Sequence, residues 1–188
     1  MNETIQSILK RRSIRAYQPG QIDEKDLQEI LNAGQYAPTA MGEQPWHFTV
    51  IQNPDLLSRL QEICKQGFLN SDNEALREIA KRDGFLVFYQ APTLIIVSGH
   101  KNAITPLQDS VLAMENMLLA ATSLGIGSCW VHSPITVYAS PEGPETLKSI
   151  GLDFPEGHVP YAAAVFGYSS LPVPEAAPRK QDTITYIR

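Results

Sequence analysis

The sequence predicts an α+β domain whose central sheet carries helices on both faces. Two observations predict this. Four or five short β-type runs alternate with amphipathic helical segments. One further segment, 107–124, is helical but too apolar to lie anywhere except near the centre. With 188 residues and 43% apolar content, the chain can bury a proper core as one domain.

The elements follow in order. Ile5, Ile8 and Leu9 fall at helical spacing over residues 3–10, a short opening helix that ends in Lys10-Arg11-Arg12. After a Gln18-Pro19-Gly20 turn, Asp23 is placed to cap a second helix with Leu27, Ile30 and Leu31 on one face, closed by Gly34 and Pro38. Pro45-Trp46 leads into His47–Ile51, a β-branched and aromatic run that reads as a strand, with Trp46 expected in the core. Asn53-Pro54-Asp55 opens a helix through Leu56, Leu57, Leu60 and Ile63. Residues 65–90 read as helical around Glu74–Lys81 and then turn apolar at Phe85–Tyr89. Thr93–Val97 is a continuous apolar run, short enough for a buried strand.

The helix over 107–124 carries Val111, Leu112, Met114, Met117, Leu118, Leu119, Ala120 and Ala121 on more than one face. It should be buried nearly all round, in the core or against a second subunit. Gly125-Ile126-Gly127 ends it, and Ser128–His132 reads as the next strand. A short helix over Pro141–Ile150 and a buried strand over Val159–Phe166 complete the body. An arm containing Pro172, Pro174 and Pro178 then leads to the strand-like Thr183–Ile187, which needs a sheet edge of its own chain or of a partner.

Composition limits the function. No run approaches the roughly 18 apolar residues of a membrane span, and the N-terminal residues lack the pattern of a secretory signal. A net charge of −5 and a pI near 5.3 argue against general nucleic-acid binding. Cys64 and Cys129 have no neighbour at metal-ligand spacing and cannot make a disulfide framework, so no metal is expected and a reducing, cytoplasmic setting is the plain reading.

Three segments carry chemistry. In Arg11-Arg12-Ser13-Ile14-Arg15, three guanidinium groups lie within five residues, costly unless an anion neutralises them. Arginine forks match phosphate oxygens, and the serine adds a donor. The plainer alternative is a solvated turn whose arginines pair with Glu24 and Asp26. Residues 37–46 (APTAMGEQPW) form a loop of small residues between two prolines, where backbone can approach a flat ligand and Thr39 and Gln44 can bond its edges. The third, Gly125–Ser133, contains a GxG after a helix, weak by itself because glycine commonly ends helices. It is not a dinucleotide fingerprint, since the third glycine is missing and the order is helix then strand.

In that order and separation, RRSIRAY at 11–17, APTAMGEQPWHF at 37–48, LGIGSCWV at 124–131 and the late Pro178-Arg179-Lys180 resemble the FMN-dependent nitroreductase family over nearly the whole chain. The resemblance implies a mostly antiparallel central sheet, a flavin-binding domain over 1–170 and an arm over 171–188 that embraces a partner subunit. It implies that Arg11, Arg12 and Ser13 contact the FMN phosphate or ribityl chain and that Arg15 reaches the pyrimidine end of the ring. Pro38, Thr39, Ala40, Met41, Gly42 and Gln44 would line the flavin from the other subunit of a homodimer. The family often has asparagine where Gly42 stands, so one side-chain bond to the cofactor should be missing. Trp130, Val131, His132 and Ser133 would run along the ring, with a backbone N–H rather than the His132 side chain serving N5. Arg179 and Lys180 would complete the phosphate site. The activity implied is ping-pong: a hydride from NAD(P)H, then reduction of a small nitroaromatic, quinone or enone, with no catalytic side chain needed. A specialised flavin enzyme of the same fold, performing dehydrogenation or flavin fragmentation, and a non-enzymatic flavin binder are the alternatives.

Overall fold

A computed structural model describes residues 1–188. Helix α1 (Glu3–Lys10) and helix α2 (Glu24–Gln35) precede strand β1 (Trp46–Ile51). Helices α3 (Pro54–Leu69) and α4 (Glu74–Ala80) lead to strand β2 (Thr93–His100) and the long helix α5 (Pro106–Ser123). Strand β3 (Gly127–Trp130), helices α6 (Ser133–Tyr138) and α7 (Gly143–Ser149), and strand β4 (His158–Gly167) complete the domain. The sheet order is β1-β2-β4-β3 and every pairing is antiparallel.

Strand periodicity decides what covers each face. Leu94, Ile96, Ala163 and Val165 point to one side, where they meet Leu60 and Cys64 of α3 and Leu147 of α7. Ile95, Val97, Ala162, Ala164 and Phe166 point to the other, against Leu27 and Ile30 of α2 and Met114 and Met117 of α5. Strand β2 is therefore covered on both faces, which is why its sequence is an unbroken apolar run rather than an alternating one.

Local signals explain most boundaries. Asn2, Asn53 and Asn73 cap α1, α3 and α4 by accepting backbone N–H bonds. Asp23 stands at the N-cap of α2 without a side-chain cap bond, and its carbonyl accepts from Leu27 N at 2.9 Å. Gly34 does not close α2. It is buried inside the last turn, where a Cβ would lie 3.0 Å from Met117 Cγ and 3.3 Å from Phe48 Cζ. The glycine thus allows α2 to press on α5, and Tyr36 takes the cap position instead. Gly125 does end α5: its φ of +76° lets the Ile126 N–H reach Ala121 O at 2.8 Å.

Two expectations are corrected and one alternative is removed. Helix α5 buries one face, while Leu107 and Leu112 stand 47% and 44% exposed, so the chain alone does not enclose it. Strand β3 stops at Trp130; the segment expected to continue as strand through His132 turns toward α6, with His132 as its cap. Trp46 is half-buried at the edge of the sheet, along a groove of about 1080 Å³ between α2 and β1, rather than in the core. Thr183–Ile187 pairs with nothing in its own chain, and residues 170–188 are exposed throughout.

Candidate functional site

The arginine segment is held against the end of the sheet. Ser13 forms a parallel bridge with Ser128 of β3, and the Ile14 N–H donates to Ser128 O at 2.9 Å. From the other side the Tyr17 hydroxyl donates to Ile14 O at 2.8 Å. The approach requires Gly127, whose Cβ would stand 3.0 Å from Ile14 Cγ1 and 3.1 Å from Gly167 O. The second glycine of the GxG is therefore a contact between backbones, which sequence alone could not distinguish from a helix stop.

The three arginines have different surroundings. Arg11 follows the last turn of α1, with Nε 4.0 Å from Glu115 Oε1. Arg12 turns back to donate from Nη1 to Leu9 O and Arg11 O, both at 2.7 Å, which occupies one end of its guanidinium with the C-terminus of α1. Arg15 is exposed, its guanidinium carbon 5.9 Å from the Tyr89 ring centroid. None of them pairs with Glu24 or Asp26. Beside Ser13, the Ser128 hydroxyl is buried without a partner. The neighbouring Cys129 thiol is pushed up by burial, an effect that the nearby Arg15 cation opposes.

Along 130–133, Trp130 is half-buried and the Val131 side chain lies in the core; the Val131 N–H is taken by Ala163 O at 2.9 Å. His132 is exposed, and Ser133 is buried toward Cys64. The N–H groups of His132 and Ser133 have no acceptor within the chain, so they are the free donors of this stretch.

The loop at 38–44 is rigidly shaped. Thr39 Oγ1 accepts from Gln44 N at 3.2 Å, and Met41, Gly42 and Gln44 have φ values of 52°, 71° and 46°. A left-handed φ at Gly42 suits glycine and asparagine alike, which gives a backbone reason for either residue there. Met41 is 89% exposed. This loop lies near the N-terminal end of α5: Glu43 Oε2 accepts from Ile104 N at 2.9 Å. Ser13 lies beside Ser128 of β3, and Arg11 of the same segment reaches Glu115, midway along α5. From Pro106 to Glu115 the helix rises roughly 14 Å. No hydrogen bond or ion pair joins the loop to the arginine segment within the chain. Arg179 and Lys180 are also apart from it, exposed on the arm, where Arg179 Nη1 bonds only to Ala177 O at 3.3 Å.

The sequence reading did not single out Tyr89 or Ser128. Ser128 directly follows the GxG, which was a usable signal. Tyr89 sits in an apolar stretch with no motif, and only the tertiary fold places it by Arg15.

The model of the nitroreductase family matches residues 8–168. The chain belongs to the nitroreductase family. A Bacteroides fragilis nitroreductase solved with bound FMN shares 40% identity and superposes with a TM-score of 0.88, with 100% of both chains covered. A Desulfitobacterium hafniense nitroreductase, also solved with bound FMN, has a TM-score of 0.88 at 29% identity over 100% of both chains. An Archaeoglobus fulgidus protein provisionally named NADH dehydrogenase/NAD(P)H nitroreductase is 33% identical over 172 residues, covering 89% of this chain and 86% of its own.

The residues of this nitroreductase fit a flavin phosphate by their own chemistry. Arg11 and Arg15 offer cationic donors on the same segment as the Ser13 hydroxyl, and the unpartnered Ser128 hydroxyl lies behind it. An orphaned buried hydroxyl is costly unless something completes it. No helix of this nitroreductase is long and apolar enough to cross a membrane.

Proposed function

We propose that this nitroreductase is an FMN-dependent oxidoreductase that acts as a homodimer, with a flavin site at each end of the subunit interface. It takes a hydride from NADH or NADPH and then reduces a small oxidised acceptor, such as a nitroaromatic, quinone or enone, in a separate half-reaction. The carrying observation is the separation of the two half-sites along α5. A two-fold axis crossing that helix sets the 38–44 loop of one chain beside the arginine segment of the other.

Other features support the pairing. Ile5, Ile8 and Leu9 of α1 and Leu107 and Leu112 of α5 form an uncovered apolar face. Strand β1 has an open edge, and the arm carries Ile184, Tyr186 and Ile187 exposed beyond its prolines. An arm that adds its terminal residues to a partner's β1 would cover both.

Bound FMN supplies the two-electron chemistry. The protein's residues bind, orient and tune it. Arg11 and Ser13 hold the phosphate and ribityl end, with Arg12 bracing the segment and Arg179 and Lys180 arriving from an arm. Arg15 sets a cation at the pyrimidine end, where the reduced ring carries negative charge. The free N–H groups at 132–133 serve the reactive edge, and Pro38, Thr39, Ala40, Met41, Gly42 and Gln44 of the second subunit close over the ring.

The test is an absorbance spectrum of the purified protein with anaerobic addition of NADH and then NADPH. A yellow protein that bleaches with either nucleotide is expected. A yellow protein that neither nucleotide bleaches would move the assignment to a specialised flavin enzyme or a flavin binder. A colourless protein that added FMN does not load would remove it.

A further inference from the structure

Arg15 is the most exposed guanidinium of its cluster. Arg11 has Glu115, and Arg12 is tied to two carbonyls. Arg15 has a long hydrogen bond, Nη1 to Ser13 O at 3.5 Å. A loose, exposed arginine is a poor device for holding charge at one point of a ligand. Facing it is the Tyr89 ring, half-buried and packed on the core cluster that includes Val87 and Phe88. The guanidinium carbon stands 5.9 Å from the ring centroid, within the range at which a cation is attracted to an aromatic face.

The backbone that delivers this ring is strained. Tyr89 and Gln90 have φ values of 55° and 59°, two consecutive left-handed residues, neither of them glycine, asparagine or aspartate. Such strain persists only where the surroundings over-determine it, and it concentrates at functional sites. Here the turn is closed by the Ala91 N–H bond to Phe88 O at 2.9 Å, and it sets the ring in a cleft of about 370 Å³ beside Arg15, Tyr17 and Phe85.

We propose that Tyr89 is a positioning residue that fixes Arg15 against the pyrimidine end of the flavin and thereby sets how easily the cofactor is reduced. The inference rests on the FMN reading above. The Tyr89 side chain also raises the affinity of Arg15 for its proton, chiefly through a side-chain hydrogen bond, in keeping with a direct contact. Because reduction puts negative charge at that end of the ring, a well-placed cation favours the reduced form over the oxidised one. Tyr89 acts through Arg15, so removing it from a protein that already lacks Arg15 should change little.

The test compares wild type, Tyr89→Asn, Tyr89→Phe, Arg15→Gln and the Arg15→Gln/Tyr89→Asn double variant. Asparagine tolerates the left-handed backbone while deleting the ring. Each apoprotein is titrated with FMN, oxidised and then reduced, and the midpoint potential of the loaded protein is measured. Tyr89→Asn should weaken reduced-FMN binding by about 2- to 30-fold more than oxidised-FMN binding, and the potential should fall accordingly. Tyr89→Phe keeps the aromatic face without the hydroxyl and should give a potential between those of wild type and Tyr89→Asn. The double variant should match Arg15→Gln.

An unchanged potential in Tyr89→Asn beside a lowered one in Arg15→Gln overturns the proposal alone. So does a double variant whose losses add. Circular dichroism checks that each variant folds; should Tyr89→Asn fail, Tyr89→Leu replaces it with the same expected outcomes. A wild type that takes up no FMN removes the cofactor reading itself, whereas an Arg15→Gln variant with unchanged affinity and potential removes Arg15 from the flavin and overturns the proposal.

Discussion

Arg11 and Arg12 are adjacent in sequence but meet different surroundings, and this separates binding from bracing. Arg12 donates twice to the carbonyls that end α1, whereas Arg11 has only a distant carboxylate at 4.0 Å. The Arg11→Ala variant should therefore lose about 1.5–3 kcal/mol of FMN affinity through the missing charged hydrogen bond while keeping its melting temperature. Fluorescence titration of the apoprotein and a thermal melt measure the two quantities, and unchanged FMN retention would remove Arg11 from the phosphate site. Cys64 gives a second residue-level prediction. Burial pushes its thiol up to about 12 from an ordinary value of 9.0. Its contribution to stability is fully present below pH 9, where both states are protonated. Above pH 9 the unfolded chain ionises while the folded one does not, so stability falls by roughly 1.4 kcal/mol per pH unit. Urea unfolding between pH 8 and 11 should show a steeper decline in wild type than in Cys64→Ala.

At the scale of elements, α1 and α5 behave as halves of something larger. Helix α1 has no buried residue, although its apolar positions fall on one stripe. An amphipathic helix with nothing against its apolar face has lost the main source of helical stability in proteins. The Leu112→Asp variant should convert the protein to a monomer, because it replaces an apolar interface contact with a carboxylate that must be desolvated, at about 3 kcal/mol or more. Sedimentation at micromolar concentration measures this, and a variant that remains dimeric would place the interface elsewhere. Helix α6 shows what the sequence concealed at this scale. Its six residues are too few for a 3.6-residue period to emerge, and Trp130-Val131 before it reads as strand. Gly34 shows a different limit, since a glycine that permits close packing and one that ends a helix are identical in sequence.

At the scale of the whole molecule, the arm is the part whose role one chain leaves open. The family match stops at residue 168, and residues 170–188 make no regular structure in their own chain. Removing residues 175–188 should leave the melting temperature of the monomer's core nearly unchanged, because none of the buried residues is lost. The same truncation should weaken the dimer and release FMN, as Arg179, Lys180 and the terminal apolar residues go with it. Size-exclusion chromatography with absorbance at the flavin band reads both outcomes together. Full retention of flavin by the truncated dimer would restrict the arm to a passive tail.

The sequence by itself determined the body of this protein: the four strands, the long α5, the glycine stop after it, and the clustering of three arginines in one segment. These features are written in local periodicity and in side-chain chemistry that act within a few residues. The tertiary structure decided what depends on contacts distant in sequence. It showed that Gly127 serves the approach of Ile14, that Arg12 braces a helix end through Nη1, that Tyr89 faces Arg15, and that the 38–44 loop and the arginine segment meet different parts of α5. The physical reason is that a motif specifies which groups are available, whereas the path of the backbone between motifs specifies which of those groups can meet.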